Sequence, residues 1–135
     1  MREIPKHGFP MEYRGLPCFR DLNVQEVRRV WALGEQVHIP SGWSLMLERG
    51  VEDNVHLLLS GTMLVNLSDG DSSLRGPGEL LGSLDSTREP LRTAVMTATA
   101  DVEALLFPVA AFRTACTEVP AFAEAIRRTE SSRAV

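Results

Sequence analysis

The stretch Ile39-Pro40-Ser41-Gly42-Trp43-Ser44-Leu45-Met46-Leu47-Glu48-Arg49-Gly50, continued by His56-Leu57-Leu58-Leu59-Ser60-Gly61, sets the texture of the whole middle of the chain. Short apolar runs are cut at close intervals by Pro, Ser and Gly, the residues that supply turn dihedrals. The same alternation continues in both directions. It predicts strands over Gln36–Ile39, Ser44–Leu47, Val55–Leu59, Met63–Leu67, Ser73–Arg75, Thr93–Thr97 and Val102–Phe107. Turn signals separate them at Pro40-Ser41-Gly42, Arg49-Gly50, Ser60-Gly61, Ser68-Asp69-Gly70 and Gly76-Pro77-Gly78. Strands this short and this evenly punctuated predict an antiparallel sandwich or roll.

The flanks have a helical period. Asn23 can cap a helix, Glu26 three residues on can reach back to it, and Leu22 can pack on Val27. Val24, Val27, Val30 and Trp31 then mark one apolar face, and Gly34 ends the run. Beyond the strands, Pro108 through Glu118 carries Val109, Phe112 and Cys116 at helical spacing. Pro120 opens a last helix with Phe122 and Ile126 four apart. The fold class predicted is mainly β with flanking helices: an antiparallel double-stranded β-helix, a jelly-roll-like β-roll, with an N-terminal helix and C-terminal helices. Residues 1–15 read as an N-terminal arm, 16–130 as one domain and 131–135 as a tail.

Composition narrows the function. Apolar residues make up 44% of the 135 and charged residues 24%, ordinary for a globular protein, and the net charge of −4 argues against a nucleic-acid-binding face. No run approaches the roughly 20 apolar residues of a membrane helix, and Met1-Arg2-Glu3-Ile4-Pro5-Lys6 lacks a leader's apolar segment. A cytoplasmic location is the expectation. Cys18 and Cys116 read as buried apolar filler, and Trp31 and Trp43 as core aromatics. His7, His38 and His56 are scattered, with no metal-ligand spacing, and no nucleophile–base set is legible. No catalytic and no metal-binding residues are therefore assigned.

With its glycines in this order, the layout resembles the cyclic nucleotide-binding domain of catabolite-activator-type regulators, protein kinase A regulatory subunits and cyclic-nucleotide-gated channels. The resemblance runs from about Leu16 to Ile126. It rests on Leu16-Pro17-Cys18-Phe19-Arg20-Asp21-Leu22 entering the first helix, on the two stretches quoted above, and on Gly42, Gly50, Gly61, Gly78 and Gly82.

The resemblance implies a phosphate-binding cassette: a Gly-Glu-Leu run, a short helix, then Arg-(Ser/Thr)-Ala on the next strand. Such a site suits a cyclic phosphate, because backbone N–H groups and a two-pronged guanidinium both match its charge. Arg92-Thr93-Ala94 looks like the second element, which makes Arg92, Thr93 and the Ala94 N–H the implied phosphate contacts. In one register Gly82 is the cassette glycine, and Ser83 stands where the family has its ribose-binding glutamate. Losing that charge-assisted bond, typically worth about 1.5–3 kcal/mol, would weaken binding roughly ten- to a hundred-fold. In the other register Gly78-Glu79-Leu80 is the cassette start, Glu79 is the ribose ligand, and an insertion precedes Arg92. Asp85 and Glu89 add negative charge beside the anion site.

The implied function is a non-catalytic regulatory module that senses cAMP, cGMP or a related phosphate ligand with weakened affinity, and needs no other cofactor. The alternative is a degenerate copy of the fold that binds no nucleotide. It would serve as a homodimerisation or partner-docking domain through Val119, Phe122 and Ile126 of the last helix. Neither nucleic acid nor a membrane is an expected partner.

Overall fold

A computed structural model describes residues 11–47, 54–67, 70, 72–81 and 94–133. The first helix, α1 (Val24–Leu33), begins where the sequence predicts. Asn23 Oδ1 accepts from the Glu26 N–H at 2.8 Å, and Glu26 Oε1 accepts from the Asn23 N–H at 2.9 Å, so two N-terminal donors are satisfied reciprocally. Val27, Val30 and Trp31 turn inward.

Eight described strands follow: β1 (Glu35–Ile39), β2 (Ser44–Leu47), β3 (Asn54–Ser60), β4 (Met63–Leu67), β5 (Ser72–Arg75), β6 (Leu80–Leu81), β7 (Ala94–Ala98) and β8 (Val102–Pro108). They form two four-stranded antiparallel sheets, one ordered β1-β8-β3-β6 and the other β2-β7-β4-β5. The chain closes with α2 (Val109–Glu118) and α3 (Pro120–Arg133). This is the predicted roll with its flanking helices.

Strand alternation gives the first sheet two apolar faces. Val55, Leu57, Leu59, Leu105 and Phe107 face the helices and join a core with Phe19, Val30, Phe112 and Phe122. Leu58, Leu81, Val102 and Ala104 face the second sheet and meet Met63, Val65, Met96 and Ala98 there. Because β8 is covered on both sides, its sequence is apolar almost throughout instead of alternating.

Several expectations are corrected. Met11–Gly15, expected within an arm, forms a turn of 3-10 helix, and Tyr13 is buried with its ring stacked on Trp31 at 6.0 Å. Trp43 is 59% exposed, not a core aromatic. The turn that carries it is held by backbone bonds, Trp43 N–H to Pro40 O and Ala98 N–H to Trp43 O, which leave the indole outside. The strand β6 was not anticipated, because two residues are too few to show a period. Helix α3 runs to Arg133, past the expected domain end at 130. Val119, Phe122 and Ile126, offered above as a docking face, are buried in the chain's own core. The exposed side of α3 carries Glu124, Arg127 and Arg128 instead.

Candidate functional site

The implied pocket residues Gly82, Ser83, Arg92 and Thr93, with Asp85 and Glu89, lie outside the described residues, as do Gly50 and His7. What the fold fixes is where that segment is attached. β6 belongs to the first sheet and ends at Leu81; β7 belongs to the second and begins at Ala94, which pairs with Leu47 and with Leu67. Residues 82–93 therefore join one sheet to the other at the end of the roll where β2 and β4 stop and β3 starts.

Glu79 has a local task. Its Oε1 accepts from the Gly76 N–H at 2.8 Å and its own N–H donates to Gly76 O at 3.1 Å, closing the Gly76-Pro77-Gly78-Glu79 turn. The turn is held to β3 by Gly78 N–H to Leu58 O at 2.8 Å and Leu58 N–H to Glu79 O at 2.9 Å. Gly78 has a φ of +90°, and a Cβ there would lie 3.0 Å from Pro17 Cδ. At least one carboxylate oxygen of Glu79 thus stabilises the backbone of the turn that precedes β6.

Arg75, on β5 at the edge of the second sheet, reaches the first sheet. Its Nη1 donates to Leu80 O on β6 at 3.0 Å. A guanidinium therefore bridges the two edge strands beside the point where the chain leaves β6. Sequence reasoning took Arg75 only as the end of a strand, because its partner belongs to the other sheet.

His56 points between the sheets. It is paired with Leu81 on one side and Leu106 on the other, and cross-strand partners share a face. Leu81 and the next alternate residue on β3, Leu58, both belong to the core between the sheets. Burial pushes the His56 imidazole below the ordinary histidine pKa, since the charged ring loses water it cannot replace.

A second polar group lies on the helix side of the first sheet. Glu103, nearly buried, accepts from Gln36 Nε2 at 2.8 Å through one oxygen and pairs with His38 Nδ1 through the other. Gln36 and His38 stand two apart on β1 and hence on one face, a legible sign of a polar patch; Glu103, 65 residues further on, is not legible. Cys18 is buried and its thiol is pushed up to about 12, as expected of inert filler; Cys116 is half-buried. Among the described residues no group of three or more His, Cys, Asp or Glu is placed to hold a metal. Among them too, no helix is long and apolar enough to cross a membrane.

No protein-family model matches the sequence, and no curated protein matches it. Solved structures do. The catabolite activator protein of Thermus thermophilus superposes with a TM-score of 0.66 at 22% identity, over 87% of this chain and 57% of that one. The N-terminal domain of a transcriptional regulator from Streptomyces coelicolor A3(2) matches at 0.59 and 25% identity, over 90% of each chain. A CooA variant from Carboxydothermus hydrogenoformans matches at 0.67 and 18% identity, over 98% of this chain and 82% of that one. The chain has the cyclic nucleotide-binding domain fold. It spans a little over half the length of the Thermus protein.

Proposed function

We propose that the chain is a non-catalytic regulatory module that takes cAMP, cGMP or a related phosphate ligand at the end of the roll bridged by residues 82–93. The observation that carries this reading is the attachment of that segment. It leaves one sheet at Leu81 and enters the other at Ala94, which is where the resemblance puts a phosphate cassette. Arg92 supplies the cationic fork, with Thr93, the Ala94 N–H, Gly82 and Ser83 as its companions. The Glu79–Gly76 bond supports the register in which Ser83, not Glu79, takes the glutamate's place, and so supports weakened affinity. Ligand binding is transmitted through α2 and α3, since a ligand shifts only an equilibrium between states it binds unequally.

The second reading, a fold retained for homodimerisation or docking, draws on that same missing carboxylate. The burial of Val119, Phe122 and Ile126 removes its apolar surface, so a partner on α3 would meet Glu124, Arg127 and Arg128.

Calorimetric titration with cAMP and cGMP separates the two. Micromolar binding that disappears in Arg92→Ala supports the sensor. An absence of heat at millimolar nucleotide overturns it in favour of the docking module.

A further inference from the structure

We propose that the outer face of the second sheet is an interface between two copies of this chain, packed sheet against sheet about a twofold axis. The inference goes beyond the sensor reading and does not depend on it. It places a dimer contact on a face other than α3, whose apolar residues are buried in the chain's own core.

Register fixes which side chains share that face. Met63, Val65, Met96 and Ala98 point inward to the core between the sheets, so alternation turns their neighbours outward. One cross-strand row runs Ser44, Thr97, Leu64, Leu74 over β2, β7, β4 and β5. The next row carries Val95, Asn66 and Ser72. Leu74 is 56% exposed, and Leu64 opposite it is partly buried. No described residue of this face is charged, in a chain that is 24% charged. Its hydroxyls already pair with one another: Ser44 Oγ with Thr97 Oγ1 at 3.0 Å, and Thr62 Oγ1 with Thr99 Oγ1 where the face continues past the strand ends. Covering them leaves those groups satisfied, so the desolvation cost is small.

Charge and area select a second copy as the occupant. A twofold interface must be complementary to itself, because the same patch serves both partners. A face of one charge fails that condition, since like meets like; an uncharged face meets it everywhere. The same lack of charge gives a foreign partner no electrostatic register or steering. Symmetry supplies the register for a second copy, and uses the Leu64 and Leu74 contact twice. The four strands are 4, 5, 5 and 4 residues long. At about 4.8 Å between strands and about 3.3 Å per residue they present a footprint of roughly 300 Å². A standard interface buries about 800 Å² per partner, so this dimer is weak, reversible and populated at high protein concentration. Two such sheets stack about 10 Å apart with their strands inclined by about 30°.

The test is the weight-average mass of the full chain by sedimentation equilibrium, from micromolar to millimolar concentration. It compares the wild type with Leu74→Lys and, as a control on another face, Arg127→Glu. The wild type is expected to move from the mass of one chain toward that of two. Leu74→Lys puts a like charge on both copies and should weaken dimerisation by about tenfold or more. Arg127→Glu should leave it unchanged, and both variants should keep the wild-type thermal midpoint. Amide shifts followed by NMR over the same concentrations need no variant. They should move at Leu64, Leu74 and Thr97 and stay in place at Arg127 and Arg128. A dimer that is indifferent to Leu74→Lys, or whose shifts fall on α3, overturns the inference. So does a chain that stays monomeric at millimolar concentration, which leaves the face to a different kind of partner. None of these results bears on the sensor reading, which the calorimetric titration decides.

Discussion

The ring of Phe19, ahead of the first helix, stacks on the ring of Phe122 in the last helix, with centroids 6.2 Å apart and planes within 18°. Both are fully buried, and Phe122 also meets Phe112 edge-on at 5.7 Å. Arg128 Nη2, on the next turns of α3, donates to Asp21 Oδ2 at 2.7 Å on the same N-terminal segment. The entry and exit of the domain are thereby fastened to each other. Phe122→Ala is expected to cost about 3–5 kcal/mol by emptying a packed aromatic site, read as a lowered urea midpoint. Arg128→Ala, an exposed pair, should change stability far less. Equal losses in the two variants would show that the clasp is not hydrophobic.

Turn glycines should differ sharply in what they tolerate. Gly61 has a φ of +83° and a Cβ there would lie 2.3 Å from the Asp101 carbonyl oxygen, a backbone atom that cannot step aside. Gly42 has a similar φ of +89° but open space around it. Gly42→Ala should therefore cost only the left-handed backbone preference, about 1–2 kcal/mol. Gly61→Ala should cost clearly more, to the point of poor soluble yield. Thermal midpoints of the two variants, measured side by side, check the order.

Acidification should destabilise the free protein through His56. Its folded pKa lies below the ordinary 6.5, so as pH falls through 6.5 the unfolded chain binds a proton before the folded one does. Stability from this group is complete above 6.5 and is lost from there down to the folded midpoint. Urea midpoints at pH 7.5, 6.5 and 5.5 should show a steeper fall in the wild type than in His56→Gln. Parallel curves would place the ring in water.

The two thiols should react in order. Cys18 is buried and held near 12, so its thiolate is scarce, while Cys116 is half-buried with a smaller upward push. In the native protein at pH 8, a disulfide reagent should consume one thiol, Cys116, well before the other. Cys116→Ser should leave a single slow phase that accelerates only on adding denaturant. A fast phase in that variant would contradict the burial of Cys18.

The sequence by itself determined whatever depends on neighbours a few residues away. The capping box of Asn23 and Glu26, the strands between turn residues, and the left-handed glycines at 42, 61 and 78 follow from local dihedral preference and hydrogen bonding, and each is seen. The Arg92-Thr93-Ala94 motif was read from the same sequence, but Arg92 and Thr93 lie outside the described residues. Only the tertiary structure decided which faces are covered. An apolar stripe on α3 reads identically whether it meets a partner or Phe19, a residue about a hundred positions upstream. Glu79 reads as a ligand carboxylate in one of two registers, and the bond that its Oε1 accepts from the Gly76 N–H is seen only in the folded turn. His56 reads as a strand filler until register sets it opposite Leu81 and turns it between the sheets. Periodicity encodes the dihedrals and the spacing of side chains, but the partner that buries or frees each one comes from a distant strand.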